Sequence, residues 1–291
     1  MEGISPSGSG QNPNIAKIFT EKEKAAFKAN EKRRKLQARI AKASANRQQV
    51  KRAQRYLGLR SRGPSVMLSK SGPGTLPSYP VLVSIDIEVW ERNHNLLTEV
   101  GISTLYTNDL LGIEPGENGK DWLAKIKHRH LRIEENKHQK NGTFVDDMSE
   151  RFEFGTSEWI SNADAARRVE DALTLNTDGG PRSVVLVGHN ISSDLGFLRK
   201  MKCDFTKLDN VIDIVDTDLM YRSLKNETNA RSLSFICNQL DIDAWCVHNA
   251  GNDAAYTLQC LVLMSLYAEK IRGGEDCGDS DGGNGIVNFG E

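Results

Sequence analysis

The sequence predicts a layered domain of strands and helices, α/β or α+β, preceded by a basic helical extension. Three observations carry this. The short apolar runs Val81–Ile87 (VLVSIDI), Ser183–Val187 (SVVLV) and Val211–Val215 (VIDIV) have the length and β-branched content of buried strands. Helical patterns alternate with the later runs, as in sheets covered by helices. Charge divides sharply along the chain. Residues 1–70 hold 17 Lys and Arg against 4 Asp and Glu, a balance of +13, and the remainder balances at −14, although all 291 residues sum to −1. No acidic residue lies between Glu31 and Asp86. Such asymmetry marks a basic arm that meets a polyanion, joined to a domain with another task.

Composition removes several classes. An apolar fraction of 38%, with 25 glycines besides, is incompatible with a wholly disordered chain. The longest apolar runs, Ser183–Gly188 and Cys260–Tyr267, fall far short of the ~18 residues of a membrane helix. Met1-Glu2-Gly3 lacks the cationic and apolar regions of a signal peptide. Five cysteines without a C-x-x-C pair point to a reducing compartment. The expectation is a soluble cytoplasmic or nuclear protein without a membrane partner.

Taken in order, residues 1–18 read as a loose Gly/Ser/Asn tail. A helix near 20–57 follows, with Thr20 and Glu23 spaced as a capping box and no Gly or Pro up to Leu57. Ala29, Leu36, Ile40, Ala43, Val50 and Leu57 keep a three/four spacing that Arg33, Arg47 and Gln54 interrupt. The helix reads either as a nucleic-acid-binding segment or as a solvated linker. Gly63-Pro64 and Ser71–Pro80 punctuate the chain, which sets the expected boundaries at 1–72 for the extension, 78–272 for the folded domain and 273–291 for a disordered Gly/Asp-rich tail. Within the domain, Val81–Ile87 and Glu99–Leu105 are the first strands, and Arg151–Phe154 is the candidate third in the polar stretch 113–160. Asn162–Leu175 is an amphipathic helix capped by Ser161 or Asn162. Strand Ser183–Val187, helix Ser193–Lys202 and strand Val211–Val215 follow. Asp216-Thr217 caps the next helix, and helices near Ser232–Leu240 and Asn252–Arg272 close the domain.

Three segments place carboxylates where apolar strands end. Asp86 and Glu88 lie two apart and so on one side of the first strand, where burial is expensive without a cation. Asp194 falls in the first turn of the helix after Gly188-His189-Asn190. His248 precedes Asp253 by five positions at the start of the last helix. Singly, each also reads as an ordinary strand end, turn or helix-start carboxylate. Together they converge, because strand ends and helix starts of one sheet share an edge.

Asp86-x-Glu88, Asp194 within G-H-N-x-x-x-D-L-x-x-L, and His248 five before Asp253, in that order, resemble the DEDDh exonuclease superfamily over roughly Pro80–Lys270. The text between, His130–Asn136 and Phe152–Glu158, is similar to a fungal branch that includes an Argonaute-partner exonuclease of RNA silencing and a helper of the mRNA-export helicase. The resemblance implies a ribonuclease H-like fold, a mixed five-stranded sheet flanked by helices. It implies that Asp86, Glu88, Asp194 and Asp253 hold two Mg²⁺ or Mn²⁺ ions, and that His248 is the general base for the attacking water. The implied activity is 3′–5′ hydrolysis at single-stranded ends, RNA rather than DNA, releasing nucleoside 5′-monophosphates. Ile87, Trp90, His189 and Asn190 fall on the implied substrate side. One departure stands out: Val89-Trp90-Glu91 replaces the small hydroxyl residues common after D-x-E, so Trp90 reads as a base-stacking residue or as a core or lid aromatic. Implied partners are single-stranded nucleic acid and an RNA-silencing or mRNA-export protein. The rival is a nucleic-acid- or RNA-helicase-binding adaptor that keeps the fold with little turnover.

Other features carry less. His128, His130 and His138 near Glu134 and Glu135 match no zinc spacing and read as structural or surface residues. Lys32–Lys35 (KRRK) with Lys51-Arg52 has the form of a bipartite nuclear-import signal.

Overall fold

Alternation along Val81–Val89 buries both faces of one strand, which makes it the centre of a sheet. In the computed structural model, residues 28, 31–34, 46, 48–60, 79–177, 180–203 and 208–275 are described. The chain divides into two units, Met1–Ser44 and Ala45–Glu291; of the first, residues 28 and 31–34 are described, all helical. The expected tails, the Thr20–Glu23 cap and the punctuated segment 61–78 lie outside the described residues, apart from 273–275.

The second unit is built on a mixed six-stranded sheet of order β4-β3-β2-β1-β7-β8. Its strands are β1 (Val81–Val89), β2 (Leu97–Tyr106), β3 (Lys127–Ile133), β4 (Glu158–Ile160), β7 (Val184–Gly188) and β8 (Val211–Asp216), while β5 (Asn176–Thr177) and β6 (Gly180–Pro181) form a separate two-stranded ribbon. β2 runs antiparallel to β1 and to β3, whereas β1–β7, β7–β8 and β3–β4 are parallel. The helices are α1 (48–56), α2 (Lys120–Leu123), α3 (Asn162–Leu173), α4 (Ser192–Lys200), α5 (Thr217–Lys225), α6 (Leu233–Gln239) and α7 (Ala250–Glu275). Ser161, Asp216 and Ser232 cap α3, α5 and α6 with their side chains. No helix among the described residues is long and apolar enough to cross a membrane.

The sheet has one strand more than expected, and the third strand is not Arg151–Phe154. The polar text Lys127–Ile133 forms β3, because its inward histidines are paired: His128 Nδ1 meets Ser103 Oγ at 2.9 Å and His130 Nε2 meets Glu99 Oε2 at 2.8 Å. Segment 151–154 instead hangs on Asn252, whose amide donates to Arg151 O at 2.8 Å and whose Oδ1 accepts from Glu153 N–H at 2.9 Å. Side-chain bonds there replace a ladder.

Two cores sandwich the sheet. One face, with Val83, Ile85, Val100, Leu131 and Leu186, packs on Ala165 and Val169 of α3 and Leu198 of α4. The other, with Leu82, Leu105, Val185 and Val215, packs on Met220 of α5, Ile236 of α6 and the buried flank of α7 around Leu261. Helix α1 belongs to this second core and to the second unit, although the sequence placed it in the extension. Val50, Ala53, Tyr56 and Leu57 are buried. Arg52 Nε and Tyr56 OH donate to Asp213 Oδ2 at 2.6 and 2.8 Å, and Gln49 Oε1 accepts from the edge-strand amide of Asp216 at 2.7 Å. Gln54, which seemed to interrupt the apolar stripe, is buried and donates to Ser265 O at 3.2 Å.

Candidate metal and catalytic site

The site forms where β1 ends beneath the N-terminus of α7. In the β1–β2 ladder Asp86 stands opposite Gly101 and Glu88 opposite Glu99. Gly101 matters because it has no side chain: a Cβ there would collide with the Ala250 carbonyl, so the glycine lets α7 rest on the sheet. Gly251 makes the same accommodation, since a Cβ on it would lie 2.7 Å from His130 Cβ and from the Phe152 ring. The helix start is fixed by two fully buried asparagines. Asn249 Oδ1 accepts from Asn252 N–H at 3.1 Å as the cap, and Asn249 Nδ2 donates to Met148 O at 2.9 Å.

This arrangement brings Asp253 and His248 to the strand carboxylates. Ligand atoms of Glu88, His248 and Asp253 all lie within 4.8 Å of one another. His248 is exposed, sits in the left-handed region (φ 68°), and donates its N–H to Asp253 Oδ2 at 3.0 Å. Asp194, in the first turn of α4, is buried and accepts the Ile87 N–H at 3.1 Å, which ties α4 to the middle of the Asp86–Glu88 pair.

The electrostatics are those of carboxylates gathered without a counter-ion. Burial first, then Asp253, Asp194, Glu88 and Glu99, pushes Asp86 well above the usual carboxylate range. Burial and then Glu99, Asp253 and Asp194 push Glu88 up to about 9. Asp194 rises to about 7 by burial, opposed by hydrogen bonds from its own amide and that of Ile87. Asp253 also rises to about 7 by burial, opposed by the His248 N–H. The charges that raise Asp86 and Glu88 most are all carboxylates. Asp253 Oδ1 is buried with no hydrogen-bond partner. A buried, unpartnered carboxylate oxygen beside three further carboxylates fits a hard divalent cation, whose preferred ligands are oxygens.

The other expected site residues are placed as follows. Ile87 is buried and contributes its amide to Asp194. Trp90 is half-buried in the turn after β1, its N–H donating to Leu96 O at 2.9 Å. Asn190 is exposed with φ 54°, and its N–H donates to Asp216 Oδ1 at 3.0 Å. Both His189 ring nitrogens are committed, Nδ1 to Thr217 Oγ1 at 3.0 Å and Nε2 to Arg231 O at 2.9 Å, so this ring braces the turn that presents Asn190. Glu91 reaches across to the loop after β3, where its carboxylate accepts from the Thr143 and Phe144 amides at 3.0 and 2.9 Å; those bonds hold its pKa down to about 2.

Sequence reasoning missed Glu99. It is buried, accepts from His130 Nε2 at 2.8 Å and from Ala250 N–H at 3.2 Å, and joins strand, helix and site. The alternation concealed it, because Glu99 shares the side of Gly101 and Ser103, opposite the apolar Val100 and Ile102.

Residues 81–264 match the family model DEDDh_C, described as DNA polymerase III subunit epsilon-like, C-terminal domain. The chain belongs to this DEDDh family. Within it, the chain is 28% identical over 220 residues to an uncharacterized nucleolar protein of Schizosaccharomyces pombe, covering 74% of this chain and 80% of that one. It is 29% identical over 216 residues to the Saccharomyces cerevisiae protein Good for full DBP5 activity protein 2, covering 66% of this chain and 37% of the relative. An uncharacterized protein of the same yeast is 25% identical over 217 residues, covering 67% and 43%. The chain thus spans less than half the length of these two budding-yeast relatives. The DEDDh membership and the fungal relatives agree with the resemblance drawn from the three motifs, and the mixed sheet flanked by helices agrees with the ribonuclease H-like architecture.

Proposed function

We propose that this DEDDh protein is a metal-dependent 3′–5′ exonuclease acting on single-stranded nucleic acid ends, RNA in preference to DNA, and releasing nucleoside 5′-monophosphates. The observation that supports it most is Asp253 Oδ1, buried and unpartnered within reach of Glu88 and His248. Asp86, Glu88, Asp194 and Asp253 are the residues to hold two Mg²⁺ or Mn²⁺ ions. Bound there, the ions would supply Lewis-acid stabilisation of the charge that builds on the phosphate.

The chain's own groups do the rest. His248, exposed and held in a strained backbone conformation by Asp253, takes the proton of the attacking water at its imidazole. The Ile87 amide and the α4 start keep Asp194 aimed at the pair on β1. Trp90 stacks on the terminal base, and Asn190 contacts the terminal nucleotide from the turn that His189 braces. The basic residues of 1–44 strengthen binding through phosphate attraction. The nucleolar relative supports a nuclear location.

The test is a cleavage assay with Mg²⁺ or Mn²⁺ on matched RNA and DNA oligonucleotides labelled at the 5′ end. The wild type shortens them from the 3′ end, and Asp86→Ala or His248→Ala abolishes this. Wild type and both variants equally inert on every substrate would sink the enzymatic reading. The relative named for full DBP5 activity favours one rival, an adaptor for nucleic acid or an RNA helicase that keeps the fold with little turnover. Calorimetric titration separates them, because an adaptor with a collapsed site shows no divalent binding that depends on Asp194.

A further inference from the structure

On the face that carries Asp86 and Glu88, one ladder row crosses four strands: Glu88 on β1, Glu99 on β2, Arg132 on β3 and Trp159 on β4. Residues paired in register project to the same face. Strands lie ~4.8 Å apart, so the row leads roughly 14 Å from the carboxylates to the edge of the sheet. A cleft of only about 20 Å³ lies beside its outer part, lined by Glu99, Arg132, Asn136, Lys140, Ser149 and Trp159 and not reaching Glu88.

The far end of this row has an unusual composition. Trp159 is 46% exposed on a three-residue edge strand, while its neighbour Ile160 is buried. The Arg132 guanidinium lies over the indole at 4.2 Å from the ring centroid, and its Nη2 donates to Ser149 Oγ at 3.1 Å. Among the described residues no carboxylate forms an ion pair with Arg132. Arg129 of the same strand, by contrast, is neutralised by both oxygens of Glu158 at 2.9 and 3.0 Å. The acidic groups nearest the cleft are already engaged: Glu99 with His130 and Ala250, and Asp147 with Lys140 at 3.9 Å.

An oriented, uncompensated guanidinium beside an exposed indole matches the repeating chemistry of a single strand, a phosphate followed by a flat base. We propose that Arg132 and Trp159 form a remote subsite for the strand whose end occupies the carboxylate cluster. Arg132 holds an internal phosphate, and Trp159 stacks on the neighbouring base. The placement of the strand's end rests on the nuclease reading above; the subsite itself rests on the row and the Arg132–Trp159 pair.

The experiment compares a dinucleotide with a hexanucleotide of the same base, using the full chain and Mn²⁺. Only the longer substrate reaches the edge of the sheet, so the wild type has the higher kcat/KM for it. Trp159→Ala is expected to cut that preference about fivefold or more, with Trp159→Phe restoring most of it. Arg132→Gln is expected to reduce the preference and to lower the slope of log affinity against log salt by about 0.7, one phosphate contact. A structural defect slows both substrates together and leaves the ratio untouched; that outcome, or an unchanged ratio and salt slope in both variants, overturns the subsite. A wild type that cleaves neither substrate, yet binds the hexanucleotide by anisotropy with the Arg132-dependent slope, keeps the subsite and removes the nuclease reading. Cleavage with wild-type ratios in the variants does the reverse.

Discussion

Gly101 of β2 and Ala250 of α7 share the space of a single side chain: the Ala250 carbonyl occupies the position of a Cβ on Gly101. The contact is between backbones, so neither side can yield by turning a rotamer. Gly101→Ala therefore has to lift the start of α7, and with it His248 and Asp253, away from β1. A destabilisation of about 1–3 kcal/mol is expected, as for overpacking elsewhere. Any divalent-dependent rise in melting temperature should fall further than stability alone explains. Urea denaturation and thermal melts with and without Mn²⁺ measure the two effects. Equal cation response in the variant and wild type would show that the helix start can shift without disturbing the cluster.

Glu99 and His130 hold the same junction from below. His130 is fully buried between Glu99 and Ser157 Oγ, 2.9 Å from its Nδ1, with Phe152 against its ring. His130→Ala leaves a buried carboxylate short of its donor and opens a cavity, which should cost about 3 kcal/mol or more. Glu99→Gln has a different signature. It removes one of the charges that raise Asp86, Glu88 and Asp253, so those groups ionise at lower pH while the fold is largely kept. Carbon-detected NMR titration of the carboxyl groups checks this; unmoved midpoints would mean Glu99 is screened from the cluster.

The contrast between Glu99 and the four motif carboxylates explains what the sequence could and could not reveal. Asp86, Glu88, Asp194 and Asp253 sit at strand ends and helix starts, where local pattern places them and chain order makes them recognisable. The runs of β1, β7 and β8 were legible for the same reason, since their hydrophobicity is local. What was lost depends on distant partners. β3 hid because its inward residues are histidines made apolar-tolerant by Ser103 and Glu99, 25 and 31 positions away. Segment 151–154 looked like a strand because its bonds to Asn252, about a hundred residues later, leave no trace in its own text. Helix α1 read as a nucleic-acid-binding segment or a solvated linker because the groups that satisfy Gln54 and Arg52 are contributed by α7 and β8.

The raised carboxylates give the unliganded fold a definite pH dependence. In the unfolded chain these groups titrate near ~4. In the folded protein Asp194 and Asp253 titrate at about 7 and Glu88 at about 9. The folded state therefore binds protons that the unfolded state releases. Their contribution to stability is whole below about pH 4 and is lost as pH rises through 7 and then 9. A divalent cation requires the ionised form and reverses the loss, so its stabilising effect should be small at pH 5 and grow steadily towards pH 9. Melting temperatures with and without Mg²⁺ across that range test this. A cation effect independent of pH would mean that the ion does not compete with protons at these residues.

Where the amino-terminal arm is cut should decide whether it behaves as an accessory or as part of the fold. Residues 1–44 carry ten Lys and Arg residues and fall in the first of the two units. Removing them should leave the melting temperature within a degree or so of the wild type. The salt dependence of nucleic acid binding should flatten, because each lost phosphate contact lowers the logarithmic slope by ~0.7 on a single strand. Cutting instead after residue 60 removes Val50, Ala53, Tyr56 and Leu57 from the core and strips Asp213 Oδ2 of its Arg52 and Tyr56 donors. Loss of several fully buried apolar side chains costs about 1.5–3 kcal/mol each, enough to unfold a marginal domain. The longer deletion should therefore be insoluble or melt far lower. Comparing the two truncations by thermal melting and by binding across a salt series separates the roles. Two equally stable truncations would show that α1 is dispensable to the core, and an unchanged salt slope in the shorter one would place the phosphate contacts within residues 45–291.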